Sequence, residues 1–162
     1  MMGPEILGEL VDRHARALVL YARQWCAAPE DVVQEAFLKM VTYRPSPNKV
    51  VPWLYRVVRN AAVSASRAER RRRRHETAAA EYYPGWFESS DDTLLDGRAV
   101  AQALQALPPG EREAITLHLW AGLTFEEIAE VTGCSSSTAH RWYLAGLDLL
   151  RERLRVHVRS EF

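Results

Sequence analysis

The sequence predicts an all-α fold of two small helical domains joined by a flexible linker, three helices in the first and four in the second. Three observations lead there. Apolar residues recur at three- and four-residue spacing along most of the 162-residue chain, the period of helices that bury one face. Leu123 to Leu154 reads as two helices around a Gly-containing turn, the helix-turn-helix plan. Charge is segregated, with a net +7 over residues 1–75, −6 over 76–97 and −1 over 98–162. A basic module, an acidic connector and a near-neutral module follow from that division.

The first helix is expected over residues 5–25, with Ile6, Leu10, His14, Ala17, Leu18, Tyr21 and Trp25 on one stripe. Pro29-Glu30-Asp31 opens a second helix, since Pro and acids suit a first turn. Val33, Phe37, Met40 and Val41 should face inward, with Asp31, Gln34, Glu35 and Lys39 outward. Pro45 and Pro47 make Tyr43–Lys49 a loop. Pro52 opens a third helix in which Trp53, Leu54, Val57, Val58, Ala61 and Ala65 can pack, while Tyr55, Arg56, Arg59, Asn60 and Arg67 fall nearer the outer faces. Trp53 suits either the core or base stacking.

Arg70 to Arg74 is an unbroken run of arginines. It complements the negative end of a helix dipole. With Arg56, Arg59 and Arg67 it also makes a basic stripe beside aromatic residues, as phosphate neutralisation and base stacking require. The connector after it, residues 76–97, is marked as a linker by Pro84-Gly85 and Ser89-Ser90. Its aromatic residues Tyr82, Tyr83, Trp86 and Phe87 are unusual in a mere spacer, so part of it is expected to dock.

In the C-terminal module, RAVAQALQAL forms one helix, Pro108-Pro109-Gly110 stops it, and EREAITLHLW forms the next. Thr124, with Glu127 three residues on, has the spacing of a capping box. Gly133 should take a left-handed conformation after FEEIAEV, and Ser135 is a good N-cap for the last helix. Ser136, Ser137, His140 and Arg141 lie at the early outward positions of that helix. Small polar residues there let a helix end approach phosphates and base edges. An αα-hairpin inside an all-helical core has the same apolar pattern.

Composition narrows the function. With 48% hydrophobic and 26% charged residues the chain is globular. No apolar run is long enough to span a membrane, and the start MMGPEILGELVDRH lacks a signal-peptide pattern. A cytoplasmic location is expected, with Cys26 and Cys134 as reduced thiols. The five histidines have no metal-ligand spacing, and no nucleophile–base constellation or phosphate loop is present. No cofactor, no metal and no catalytic residue are expected.

Three segments then match a family in order. PEDVVQEAFLKM resembles DAEDLVQEVFLRVW, and VPWLYRVVRNAAVSASR resembles AWLYRIARNLALDWLR. The C-terminal LPPGEREAITLHLWAGLTFEEIAEVTGCSSSTAHRWYLAGLDLLRERL resembles LPxxxREVxxLRxxEGLSxEEIAxxLGxSxGTVKSRLxRARxxLR. The chain thus resembles an RNA polymerase sigma factor of the short, two-domain extracytoplasmic-function type. The resemblance implies that residues 1–75 form a region 2-like domain for core polymerase and −10 DNA, 76–97 a linker, and 98–162 a region 4-like domain for −35 DNA. It implies polymerase docking by Asp31, Gln34, Glu35 and Phe37. It implies −10 binding and opening by Asn48, Lys49, Trp53, Tyr55, Arg56, Arg59, Asn60 and Arg67. It implies −35 reading by Thr124, Ser136, Ser137, Thr138, His140 and Arg141. Core RNA polymerase and promoter DNA are the implied partners, with an anti-sigma or other regulatory protein.

One departure stands out. Where the family often carries a basic run along the reading helix, this chain has His140, Arg141 and Trp142, then Leu144, Ala145 and Leu147. The sequence ends soon after Arg159, so no appended sensor domain is expected. The alternative is a stand-alone helix-turn-helix regulator, against which the VQE segment and the WLYRVVRN helix both argue.

Overall fold

A computed structural model describes residues 3–74 and 97–160. Among them all regular structure is helical. The chain divides into two compact units, Met1–Tyr83 and Pro84–Phe162. The aromatic connector residues expected to dock lie outside the described residues.

The first unit packs α1 (Pro4–Ala22), α2 (Pro29–Tyr43) and α3 (Val50–Arg73) around one core. Leu18, Tyr21, Val33, Met40, Leu54, Tyr55 and Val58 form its centre. The α1 stripe is fully buried only near its C-terminal end, at Leu18, Tyr21 and Ala22, and Ile6 is exposed. Trp25 lies beyond the helix, in the turn closed by its own N–H donating to Ala22 O at 3.1 Å. Val41, expected inward, is exposed together with Leu38. The inward face of α2 runs through Val33, Ala36 and Met40, and a step of one residue from Met40 already points away. The third helix begins at Val50 rather than Pro52. Pro52 fits inside the first turn because its missing N–H would have no partner there.

Tyr55 corrects the expected face of α3. It is 1% exposed, not outward, and its ring meets Tyr21 edge-on at 5.3 Å. Trp53, Arg56, Asn60 and Arg67 follow one another in steps of three, four and seven on the solvent side, and Tyr55 falls on the opposite side. Its hydroxyl makes no hydrogen bond to a described protein group, and burial pushes the phenol well above its usual range. Tyr55→Phe should therefore leave stability unchanged or slightly raised, since an unpaired buried hydroxyl contributes only a desolvation cost. Chemical denaturation midpoints of the two proteins measure this.

The second unit contains α4 (Gly97–Gln105), α5 (Pro109–Ile115), α6 (Phe125–Thr132) and α7 (Ser136–Ser160). Leu104, Leu107 and Ile115 centre the core, with Val100, Tyr143, Leu149 and Leu150 against them. Pro109 is the first residue of α5, so the Pro-Pro-Gly stretch both ends one helix and starts the next. The expected continuous helix EREAITLHLW instead changes at Thr116 into a π turn, Thr116–Trp120. Its wider loop is closed by Ala121 N–H donating to Thr116 O at 3.3 Å, and the Thr116 hydroxyl turns back to Arg112 O at 2.8 Å.

Two glycines permit the close approach of α5 and α7. A Cβ on Gly110 would stand 2.8 Å from the Trp142 ring, and one on Gly146 would stand 2.6 Å from Ile115 Cδ1. Trp142 is thereby committed to packing on α5 rather than to solvent.

Candidate nucleic-acid interface

In the first unit the site is built on the α2–α3 corner. Arg44 ends α2 in a left-handed conformation, φ 47°, with its N–H donating to Met40 O at 3.2 Å. A β-carbon makes that conformation costly, and the following Pro45 disfavours the helical alternative. The chain then makes a short 3₁₀ turn, Pro47–Lys49, and enters α3. Asn48 and Lys49 are exposed on that turn. Tyr43, 78% exposed, stacks on Trp53 across the corner with ring centroids 6.4 Å apart and planes 22° from parallel. Trp53 is half-buried and its ring lies against Tyr43.

Arg56, Asn60 and Arg67 are exposed and continue the same face of α3. Arg59 is partly covered, its guanidinium 5.8 Å over the Trp25 ring. That contact orients a long cation on the α3 side of the corner. The result is a surface of aromatic rings beside cations and two carboxamides, Asn48 and Asn60.

On α2, Asp31, Gln34 and Glu35 are exposed as expected, and Glu35 pairs with Lys39 at 2.9 Å. Phe37 is half-buried. Leu38, 63% exposed and in register with Asp31, Gln34 and Glu35, was not expected. A leucine on a solvent-facing polar stripe is the signal that reveals it.

The helix-turn-helix of the second unit is well defined. Thr124 Oγ1 accepts from Glu127 N–H at 3.2 Å, and Glu127 Oε2 accepts from Thr124 N–H at 2.9 Å. This is the expected reciprocal box. Gly133 takes φ 76° as the left-handed end of α6. Ser135 Oγ accepts from Thr138 N–H at 3.1 Å and caps α7. The Thr138 hydroxyl accepts from Ser135 Oγ at 2.9 Å, so the side chains of Thr124 and Thr138 are engaged in capping. Ser137, His140 and Arg141 are exposed, and Ser136 is half-buried. Thr124→Ala should cost about 1 kcal/mol through loss of the cap, read as a lower melting temperature by circular dichroism.

His140 is exposed yet held. Its ring meets Phe125 at 4.8 Å, Phe125 stacks on His118 at 4.6 Å, and His118 meets Tyr143 at 4.7 Å. His118 Nδ1 donates to Leu123 O at 2.8 Å, which fixes its tautomer and ties the π turn to the start of α6. His118 and Phe125 were not among the expected site residues. The π turn brings His118 into this cluster, and no residue spacing announces such a turn.

Comparison with known proteins settles what carries these surfaces. A family model for sigma-70 region 2 matches residues 10–72, and one for sigma-70 region 4 matches residues 97–150. The chain is 35% identical over 132 residues to the RNA polymerase sigma factor CarQ of Myxococcus xanthus, covering 79% of this chain and 75% of that one. The chain belongs to the RNA polymerase sigma factors of the extracytoplasmic-function type. It is also 29% identical over 131 residues to the ECF RNA polymerase sigma factor SigK of Mycolicibacterium vanbaalenii, 78% of this chain and 67% of that one. Among solved structures, the sigma factor RpoE from Bartonella quintana, in complex with the anti-sigma factor NepR, shares the fold. Its TM-score is 0.79 at 23% identity, covering 95% of this chain and 99% of that one.

A sigma factor binds core RNA polymerase and directs it to promoters, and this chain therefore regulates transcription at initiation. Its region 2 match spans the α2–α3 corner, and its region 4 match spans the helix-turn-helix. Among the described residues, no helix of this sigma factor is long and apolar enough to cross a membrane, and no cluster of side chains could hold a metal ion.

Proposed function

We propose that the work of this sigma factor is divided among three surfaces. Asp31, Gln34, Glu35 and Phe37 on α2, extended by Leu38, dock core polymerase. Asn48, Lys49, Trp53, Arg56, Arg59, Asn60 and Arg67 bind and open the −10 element. Thr124, Ser136, Ser137, Thr138, His140 and Arg141 read the −35 element, the two threonines chiefly by fixing the backbone of the motif. Residues 1–75 then serve as the polymerase and −10 module, 76–97 as the linker, and 98–162 as the −35 module. Tyr55 is left out because it is buried.

The observation that carries the assignment is the exposed Tyr43–Trp53 stack beside Asn48, Lys49, Arg56 and Asn60. Opening a duplex requires capture of unstacked bases. An aromatic platform supplies stacking worth about 1–3 kcal/mol per base, while neighbouring cations hold the backbone. Asn60 adds a donor–acceptor pair able to read a base edge. Trp53→Ala with Asn60→Ala should reduce opening by at least about tenfold at unchanged polymerase binding, using roughly 1.4 kcal/mol per decade. Permanganate reactivity of −10 thymines reads opening, and Tyr55→Phe should leave it unchanged. Normal reactivity in the double mutant would remove Trp53 and Asn60 from the site.

This sigma factor makes no chemical bond of its own; it lends promoter selection to polymerase, and it acts in the cytoplasm where polymerase and DNA are. A protein regulator is the remaining expected partner. The similarity to a sigma factor solved with its anti-sigma factor supports that expectation at the level of fold.

A further inference from the structure

The aromatic cluster behind the reading face has no part in the assignment above. Its first member, His118, is half-buried in the π turn and donates from Nδ1 to Leu123 O at 2.8 Å. The N–H of the same Leu123 donates to Leu117 O at 3.0 Å. Leu123 is therefore clamped at both its N–H and its C=O, immediately before the cap residue Thr124. Phe125, the first residue of α6, follows directly from that fixed backbone. Its ring stacks on His118 with centroids 4.6 Å apart and planes 15° from parallel. His140, in the second turn of α7, meets the Phe125 ring at 4.8 Å and 68°. Tyr143 borders both His118 and Phe125, at 4.7 and 5.5 Å.

Two features separate this cluster from ordinary core. A core cluster buries all its members, whereas this one ends on an exposed side chain, His140, at the reading face. The His140 ring also makes no hydrogen bond among the described residues, so ring contact orients it while its nitrogens keep no protein partner. A neutral imidazole offers one N–H and one bare nitrogen, groups that match the acceptors and donors of base edges in the major groove.

Resting on the −35 reading above, we infer that His118 is a positioning residue for −35 recognition: through Phe125 it holds the His140 ring in the orientation that meets a base edge. An exposed side chain free to change rotamer must be ordered when it binds. Ordering it beforehand removes that cost for the base that fits the preset orientation, and for no other. Few groups share the task, because Arg141 is the only Lys or Arg between Ser136 and Leu147. Anchoring to a backbone carbonyl makes the His118 ring a fixed support, where an aliphatic side chain would only fill space.

The test uses full-length protein and reconstituted holoenzyme. His118→Asn keeps an N–H donor near the Nδ1 position, and so the bond to Leu123 O, but removes the ring beneath Phe125. His118→Phe keeps a ring. His118→Asn is made alone and together with His140→Ala. Affinity is measured for promoters changed one base pair at a time across the −35 and −10 elements.

His140→Ala should lower discrimination at the base pair it meets by roughly tenfold. His118→Asn should lower it at the same base pair by roughly threefold to tenfold, with −10 discrimination as in wild type. His118→Phe should recover most of that loss. In the His140→Ala background His118→Asn should have no further effect, the non-additivity expected of residues that act through one group. In free protein labelled with ¹³C-histidine, the NMR contacts between the His140 and Phe125 rings should weaken in His118→Asn and persist in His118→Phe. Equal losses in both backgrounds, or a loss spread over every −35 base pair, would make His118 a purely structural residue and overturn the inference. Unchanged discrimination in His118→Asn would overturn it as well. Failure of the underlying reading is seen separately, as His140→Ala holoenzyme that discriminates −35 sequences as wild type does.

Discussion

Replacing Asp31 and Glu35 together by arginine should abolish binding to core RNA polymerase while the protein stays folded. Both side chains are exposed on α2 beside Gln34 and Leu38. Their structural roles are small. Asp31 sits in the first turn, where an acid is worth about 0.3–1 kcal/mol against the helix dipole. Glu35 makes one exposed pair with Lys39 at 2.9 Å, a contact worth about 0.3–0.5 kcal/mol. At an interface matched in charge, by contrast, reversing two acids sets like charges face to face and costs several kcal/mol. That is a loss of two to three decades or more in affinity at roughly 1.4 kcal/mol per decade. Size-exclusion co-elution with core enzyme reads binding, and far-UV circular dichroism reads the fold. Co-elution of the folded double mutant would show that α2 is not the docking helix. Leu38→Ala should weaken binding by a smaller factor, since a partly exposed leucine contributes about 1–2 kcal/mol when covered.

Gly146→Leu should unfold the region 4 unit. Glycine inside a helix costs about 1 kcal/mol relative to alanine, so its place in the middle of α7 reflects packing. A β-carbon there would meet Ile115 Cδ1 at 2.6 Å and Glu111 O at 3.2 Å. Ile115 is fully buried and cannot swing away, and the Glu111 carbonyl is backbone. A leucine forces α5 and α7 apart at a cost of about 3 kcal/mol or more. A unit this small has only a few kcal/mol in total. The expected result is loss of one melting transition of the full-length protein and loss of −35-dependent transcription, with polymerase binding through α2 retained. Gly8→Ala is the control. Nothing lies within 4 Å of a β-carbon there, so the substitution should stabilise by about 0.4–1 kcal/mol. Normal melting of Gly146→Leu would mean that the α5–α7 contact yields more easily than the distances imply.

Local chemistry determined much of this protein from the sequence alone. Pro29 with two acids started α2, Thr124 with Glu127 made the capping box, Gly133 ended α6 and Ser135 capped α7. Each of these depends on atoms within one helical turn, so the residues at those positions suffice to specify it. Helical periodicity likewise placed Arg56, Asn60 and Arg67 on one outer face, and it identified the acidic side of α2.

Tertiary structure alone decided the rest, because those features depend on which elements meet. Tyr55 is amphipathic and suits either side of a helix; the ring of Tyr21, far away in sequence, drew it into the core. Val41 and Leu38 are exposed because α1 and α3 cover only one narrow strip of α2. Trp142 lies on α5 because position 110 lacks a side chain, and α7 can approach there only because position 146 also lacks one. The π turn at Thr116–Trp120 carries His118 into contact with Phe125 and Tyr143. The turn is closed by Ala121 N–H donating to Thr116 O and followed by Leu123 N–H donating to Leu117 O, and a rare i→i+5 turn of this kind has no residue signature from which to predict it.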